Sequence, residues 1–296
     1  MSTINNKKQD PVDQYPQPPY PKQTQDMPGV EAKMNPAADH GEQSYKGSGK
    51  LTGMRAVITG GDSGIGKAVA IAFAREGADI LISYLNEEED AKDTEYWVKE
   101  AGRKAILVPG DIGTEKHCEK IIQTALDEFG GIDILVNNAA FQAVHESLQD
   151  VTAEEWDFTF KTNVYAMFYL CKAAEPHLKP GSSVINTTSV NAYTPKPILA
   201  PYTATKAAIQ NFTSALAQLW AERGVRVNCV APGPIWTPLI PGSFDEEQTA
   251  EFGNSSPIKR AGQPVEVAPA FVLLASPEAS YMSGATIAVT GGKPTI

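Results

Sequence analysis

Basic charge, cysteine and histidine are all scarce in this 296-residue chain, and each scarcity narrows what it can be. Lys and Arg number 25 against 35 Asp and Glu, a formal net charge of −10. A protein whose main partner is nucleic acid needs a basic field, so none is expected as a partner here. The 3 cysteines, Cys118, Cys171 and Cys229, are widely spaced, with neither C-x-x-C spacing nor a nearby His pair. That pattern indicates neither a zinc site nor a disulfide framework, and buried free thiols in a reducing compartment are expected instead. His145 and His177 read as surface residues, and no metal site is assigned. No apolar run approaches bilayer-spanning length, and the opening "MSTINNKKQDPVDQYPQ" has no apolar core of a secretory signal. A cytoplasmic protein without a membrane partner is the expectation.

Composition breaks near residue 45. The segment before it is rich in proline and without apolar periodicity, and cannot bury enough surface to offset its ordering entropy. Residues 1–45 are therefore expected to form a proline-rich arm. It is either disordered or docked in extended form through its tyrosines and Met27, Val30 and Met34. The stretch "YPQPPYPKQ" also permits polyproline docking to a partner. From about Gly53 onward, short Val/Ile/Leu-rich runs alternate with segments of helical spacing. The runs are "RAVITG", "DILISYL", "KAILVPGD", "IDILVNNAA", "SSVINTTS", "RVNCVAPG" and "ATIAVTGG". Near-continuous apolar strands alternating with helices predict a parallel sheet covered on both faces. The expected fold for residues 46–296 is a single α/β domain, a doubly wound Rossmann-type parallel sheet of seven strands.

The first strand runs into "TGGDSGIGKAVAIAFA". Gly60, Gly64 and Gly66 stand at a strand-to-helix turn, where glycine lets the backbone approach a pyrophosphate and the helix N-terminus offers N–H groups. Further on, "APYTATKAA" sets Tyr202 and Lys206 four residues apart, on one face of a helix whose first turn holds Pro201. A nearby ammonium and an oxidised nicotinamide ring both favour the phenolate and are expected to lower its pKa from about 10. At the end of the second strand, "ISYLNEEED" offers no basic residue for a 2′-phosphate, and Glu87, Glu88 and Glu89 oppose one. NAD is the expected dinucleotide and NADP the alternative. The same acidic run also suits the solvated first turn of the next helix.

The spacing G-x-x-x-G-x-G together with the tyrosine–lysine pair resembles the short-chain dehydrogenase/reductase family in its compact single-domain branch, over roughly residues 50–296. The wording "GDSGIG", "KRAGQP" and "APGPIWT" is most similar to bacterial stress-associated aldehyde reductases and glucose-dehydrogenase-like relatives. The resemblance implies a catalytic set of Asn163, Ser189, Tyr202 and Lys206. Tyr202 would act as acid and base, Ser189 as donor to the substrate oxygen, and Lys206 as partner of the nicotinamide ribose. Asn163 would hold a proton-relaying water. It also implies a cofactor cradle of Gly60, Asp62, Ser63, Gly64, Ile65, Gly66, Tyr84, Asp111, Ile112, Asn137, Ala139, Thr187, Pro232, Gly233, Ile235 and Thr237, joined by Tyr202 and Lys206. Residues 237–264 would form the substrate lid. Gln142, Asn191, Tyr193, Trp236 and Leu239 are candidate walls beside Ser189. The implied activity is hydride transfer between a nicotinamide dinucleotide and a small carbonyl or alcohol substrate (an aldehyde, ketone or sugar). The implied assembly is a homotetramer, with the arm laid across a neighbour. The competing expectation is a dinucleotide-sensing or scaffold protein of the same fold without turnover.

Overall fold

Seven apolar runs become seven strands, each inside the stretch its composition predicts. The computed structural model describes residues 10–294. In chain order the elements are β1 (Arg55–Thr59), α1 (Gly64–Arg75), β2 (Asp79–Tyr84), α2 (Glu88–Glu100), β3 (Ala105–Pro109), α3 (Glu115–Phe129) and β4 (Ile134–Asn137). There follow α4 (Ala153–Phe160), α5 (Ala166–Ala174), β5 (Ser183–Thr187), α6 (Ala200–Trp220) and β6 (Arg226–Pro232). The last are α7 (Leu239–Ser243), α8 (Glu246–Ala250), α9 (Pro264–Ala275) and β7 (Thr286–Val289). All pairings are parallel, in the order β3-β2-β1-β4-β5-β6-β7.

Val57 of β1 lies between Leu81 of β2 and Leu135 of β4, and all three are buried. The sheet is covered on both sides, which is why its strands read as unbroken apolar runs. One core layer joins it to α1 and α9 through Phe73, Val267 and Phe271. The other joins it to α3, α5 and α6 through Ile121, Leu170 and Trp220. The chain winds outward from β1 to β3 and then returns to β4 on the opposite side. The carboxyl ends of β1 and β4 therefore flank a crevice, where ligands of such sheets bind.

Residues 10–45 follow the docked alternative and pack on the body of their own chain. The reason is local apolar chemistry: Tyr20 and Met34 are buried with Trp236, Ile240 and Phe244 of the segment between β6 and α9. Tyr20 stacks on Trp236 with ring centroids 4.3 Å apart. Backbone bonds from Tyr20 N to Ala250 O and from Gln25 N to Pro241 O, both 2.8 Å, add a register. At its start the arm is held by Arg260, whose Nε donates to Pro11 O at 2.8 Å while its other nitrogens grip Glu266. At its end, Tyr45 Oη donates to Glu76 Oε1 at 2.7 Å.

Candidate active site

The glycine turn builds one wall of a cavity of about 850 Å³, a size suited to small ligands and cofactors. Gly60 (φ 59°) and Gly64 (φ 48°) take left-handed backbone that side chains resist. A Cβ at Gly66 would fall 1.8 Å from Gly60 O, so the helix can approach the strand this closely only with glycine there. Gly60, Asp62, Ser63, Gly64 and Ile65 line the cavity, bringing the first N–H groups of α1 toward it. Asn138 fixes this turn to the strand ends. Its Nδ2 donates to Thr59 O and Gly60 O, each at 3.2 Å, and its Oδ1 accepts from Thr187 Oγ1 at 3.3 Å. The glycine cradle leaves room for a dinucleotide pyrophosphate beside the start of α1, where the Gly64 N–H is engaged by Glu31 of the arm.

At the other end stand Ser189, Tyr202 and Lys206, all buried and all lining the cavity. Ser189 follows β5 and its Oγ accepts from Asn191 N at 3.1 Å, which pins its rotamer. One turn of α6 separates Tyr202 from Lys206, whose Nζ lies 5.3 Å from the phenol ring centroid. Lys206 Nζ donates to Thr187 O at 2.8 Å. Burial pushes the Tyr202 phenol up to about 12, with the nearby Ser189 hydroxyl pulling it partly back. Burial likewise brings Lys206 down to about 8, against a small opposing effect from Cys229. The expected lowering of the phenol is thus not a property of the tyrosine–lysine pair alone. Loss of water dominates, and the ammonium is bonded to a carbonyl rather than to the phenol oxygen.

The wall at the ends of β2 and β3 is acidic. Tyr84, Asp111 and Ile112 line it at the ends of β2 and β3, with Asp62 and Glu87 beside them. The Tyr84 hydroxyl donates to Glu88. Burial, then the charge of Glu87, pushes the Asp62 carboxyl up to about 7. Ala139, Thr187, Pro232, Gly233, Ile235 and Thr237 also line the cavity, as do Gln142, Asn191 and Leu239. Gln142 Nε2 and Asn191 Oδ1 are buried without a hydrogen-bond partner, leaving a free donor and a free acceptor.

Five residues named from the sequence do not line this cavity. Asn137 is turned into the sheet, donating to Asn186 Oδ1 at 2.8 Å, and its neighbour Asn138 takes the cavity position. Trp236 is fully buried under the arm, stacked on Tyr20, with Nε1 donating to Pro36 O at 2.8 Å. Tyr193 stands outside the cavity, and Gly66 acts through packing. Asn163 lies behind the wall, on a π-helical turn (Lys161–Tyr165) between α4 and α5. Its Nδ2 donates to Phe141 O and Thr205 Oγ1, and its Oδ1 accepts from Phe141 N. One Oδ1 lone pair remains for any water. Sequence reasoning missed the arm's part in the site. Met27, Pro28 and Gly29 line the cavity, and a Cβ at Gly29 would strike Pro238 O at 2.5 Å. The "MPG" turn was the only sign in the sequence.

Comparison with known proteins adds the family context. A family model described as enoyl-(acyl carrier protein) reductase matches residues 60–293. General stress protein 39 of Bacillus subtilis is 54% identical over 273 residues, covering 92% of this chain and 96% of that protein. The chloroplastic NADPH-dependent aldehyde reductase 1 of Arabidopsis thaliana is 46% identical, over 90% of this chain and 95% of its own. A solved short chain dehydrogenase from Burkholderia cenocepacia, in complex with NADP, superposes with a TM-score of 0.77 at 32% identity. That alignment covers 82% of this chain and 98% of that one.

Proposed function

This chain belongs to the short-chain dehydrogenase/reductase family and is an NAD(P)-dependent oxidoreductase acting on CH–OH and C=O groups, and on that premise we propose that Tyr202 is its acid–base residue and an aldehyde, ketone or sugar its substrate. The observation that carries the proposal is the placing of Ser189, Tyr202 and Lys206 along one wall of the cavity that the glycine cradle also lines. The dinucleotide, when bound, supplies or accepts the hydride and brings the positive charge of its oxidised ring near the phenol. Tyr202 Oη gives its proton to the carbonyl oxygen during reduction and takes one from the hydroxyl during oxidation. A phenol held neutral by burial is already charged with the proton that reduction needs. The Ser189 hydroxyl donates to the same substrate oxygen and stabilises the charge developing there. Lys206 holds Thr187 O and keeps a second donor for the ribose. Asn163 positions the wall by binding both the N–H and the C=O of Phe141.

NAD is the proposed dinucleotide. Support comes from the adenosine wall, where the charged lining residues are Asp62, Glu87 and Asp111 and no Lys or Arg is present among the described residues. The printed name of the Arabidopsis relative specifies NADPH for that protein. A homotetramer is supported by exposed apolar side chains on α4, α5 and α6, notably Trp156, Phe158, Phe168 and Leu219. Among the described residues no helix is long and apolar enough to cross a membrane. Three buried free thiols favour the cytoplasm. A panel of aldehydes, ketones and polyols monitored by nicotinamide absorbance tests the reading. Turnover of at least one class is expected, and a silent panel with both dinucleotides favours the sensor or scaffold instead.

A further inference from the structure

The cavity is charge-segregated. Its lining carboxylates, Asp62, Glu87 and Asp111, all lie at the adenosine end, whereas Lys196, Lys206 and Lys293 lie toward the reacting end. In a chain of net charge −10, a cavity end with lysines and no carboxylate is an exception to the bulk composition. Lys206 has a partner in Thr187 O. The other two have none: neither Lys196 nor Lys293 forms an ion pair among the described residues.

Their positions belong to the substrate side. Lys196 is on the connection from Ser189 to α6, six residues before Tyr202, with its Nζ 5.7 Å from the ring centroid of Phe244 at the end of α7. Lys293 follows β7, where the chain meets the end of the lid: a Cβ at Gly292 would lie 2.9 Å from Pro257. Both residues line the cavity, and Lys196 is exposed to water. Crowding by the wall, and next the charge of Lys293, hold the Lys196 ammonium below its usual range. None of the lid's four carboxylates, Asp245, Glu246, Glu247 and Glu251, lines the cavity. Asp245 caps α8 by accepting from Gln248 N, Glu247 pairs with Lys22, and Glu251 accepts from Asn254. Two like charges lining one cavity, with no counter-ion among the described residues, repel each other, and that cost is recovered when an anion is bound by both.

We propose that the substrate of this enzyme is a carbonyl or alcohol compound that also carries an anionic group, a carboxylate or phosphate ester, held by Lys196 and Lys293. The inference rests on the oxidoreductase reading above and names the substrate class of the same site. Gln142 Nε2 and Asn191 Oδ1, buried and free, supply a donor and an acceptor for the polar groups between the reacting carbon and the anion.

The test compares matched substrates: butanal with succinic semialdehyde, and glyceraldehyde with glyceraldehyde 3-phosphate. The anionic member of at least one pair is expected to show a kcat/KM about tenfold or more higher, with the advantage falling as salt is raised. The two pairs separate carboxylate from phosphate. In the Lys196→Gln/Lys293→Gln double variant the ratio should fall to near one, and in the Lys196→Arg/Lys293→Arg variant it should return. Calorimetric titration of the enzyme–NADH complex, which cannot oxidise an alcohol, with glycerol 3-phosphate and glycerol, and with 4-hydroxybutanoate and 1-butanol, gives a readout independent of turnover. Equal affinities within both pairs overturn the inference, as does a double variant that weakens dinucleotide binding and leaves the ratio intact. Turnover of neutral aldehydes alone leaves the oxidoreductase reading standing. Tight anion binding with no turnover of any compound sinks that reading instead.

Discussion

Gly64, the first residue of α1, donates its backbone N–H to Glu31 Oε2 at 2.8 Å, so a residue of the proline-rich arm caps the helix of the glycine turn. His40 Nε2 lies 3.1 Å from the same carboxylate oxygen, and both side chains are buried. The arm is thus part of the cavity wall, to which Met27, Pro28 and Gly29 also contribute. Glu31→Ala should lower stability by about 3 kcal/mol, because it strands a buried N–H and leaves the buried His40 with Glu42 as its one remaining carboxylate partner. Urea unfolding reads this, and an unchanged midpoint at constant slope contradicts it.

The same pair gives the arm a pH window. Burial opposes ionisation of Glu31, yet His40 holds its carboxyl below the ordinary value of 4.5. Burial opposes protonation of His40, yet Glu31 and Glu42 raise it above 6.5. The carboxylate's contribution is present above 4.5 and fades as pH falls through its lowered folded value. The histidine's is complete below 6.5 and fades as pH rises through its raised folded value. Hydrogen exchange in residues 10–45, corrected for the intrinsic rate, should slow most between those limits and quicken on the alkaline side. Protection that keeps rising with pH is the opposing result.

Asp62 should both choose the dinucleotide and cost stability. Its folded pKa of about 7 stands above the ordinary 3.8, so the fold favours the protonated acid, and that preference is lost as pH rises through 7. Asp62→Asn is therefore expected to raise Tm more at pH 8 than at pH 4, by about 2–4 °C for each kcal/mol relieved. Removing the charge should also raise the NADPH-to-NADH ratio of kcat/KM several-fold. A variant that loses stability at pH 8 and keeps the ratio speaks against both roles.

Trp236 belongs to the arm and not to the substrate. Its replacement by Ala removes the Tyr20 stack and the bond to Pro36 O, and should cost about 3–5 kcal/mol. Limited proteolysis should then cut within residues 10–45 of the folded variant. Resistance equal to that of the parent protein would return Trp236 to the pocket.

The direction of catalysis should set the pH profile. Oxidation needs the Tyr202 phenolate and reduction the phenol, so kcat/KM for the alcohol rises with pH while that for the carbonyl falls through the same ionisation. With burial holding the phenol up at about 12 in the protein alone, the carbonyl reaction should stay flat through pH 7. A carbonyl profile that climbs from pH 7 to 9 is incompatible with Tyr202 as proton donor.

The strands were legible because a sheet covered on both faces forces unbroken Val/Ile/Leu runs, and "RAVITG" or "RVNCVAPG" has no other comfortable home. Gly60, Gly64 and Gly66 were legible because their backbone requirement is local. Side-chain direction was not. Asn137 and Asn138 are adjacent in the sequence, and strand alternation sends one into the sheet and the other to the cavity, which no composition encodes. Trp236 looked like a pocket wall until its partner Tyr20, more than two hundred residues away, covered it. Glu31 was invisible for the same reason, since a lone carboxylate in a proline-rich segment takes its meaning from what it meets in the folded chain.

The claim on which the rest depends is that Tyr202 moves the substrate proton, and the most direct measurement is single-turnover kinetics of Tyr202→Phe with saturating dinucleotide. The hydride-transfer rate should fall by about a thousand-fold, while the dinucleotide dissociation constant by fluorescence titration stays within about twofold of the parent. A variant that binds the dinucleotide equally well and transfers hydride at a comparable rate would place the proton elsewhere and contradict the account.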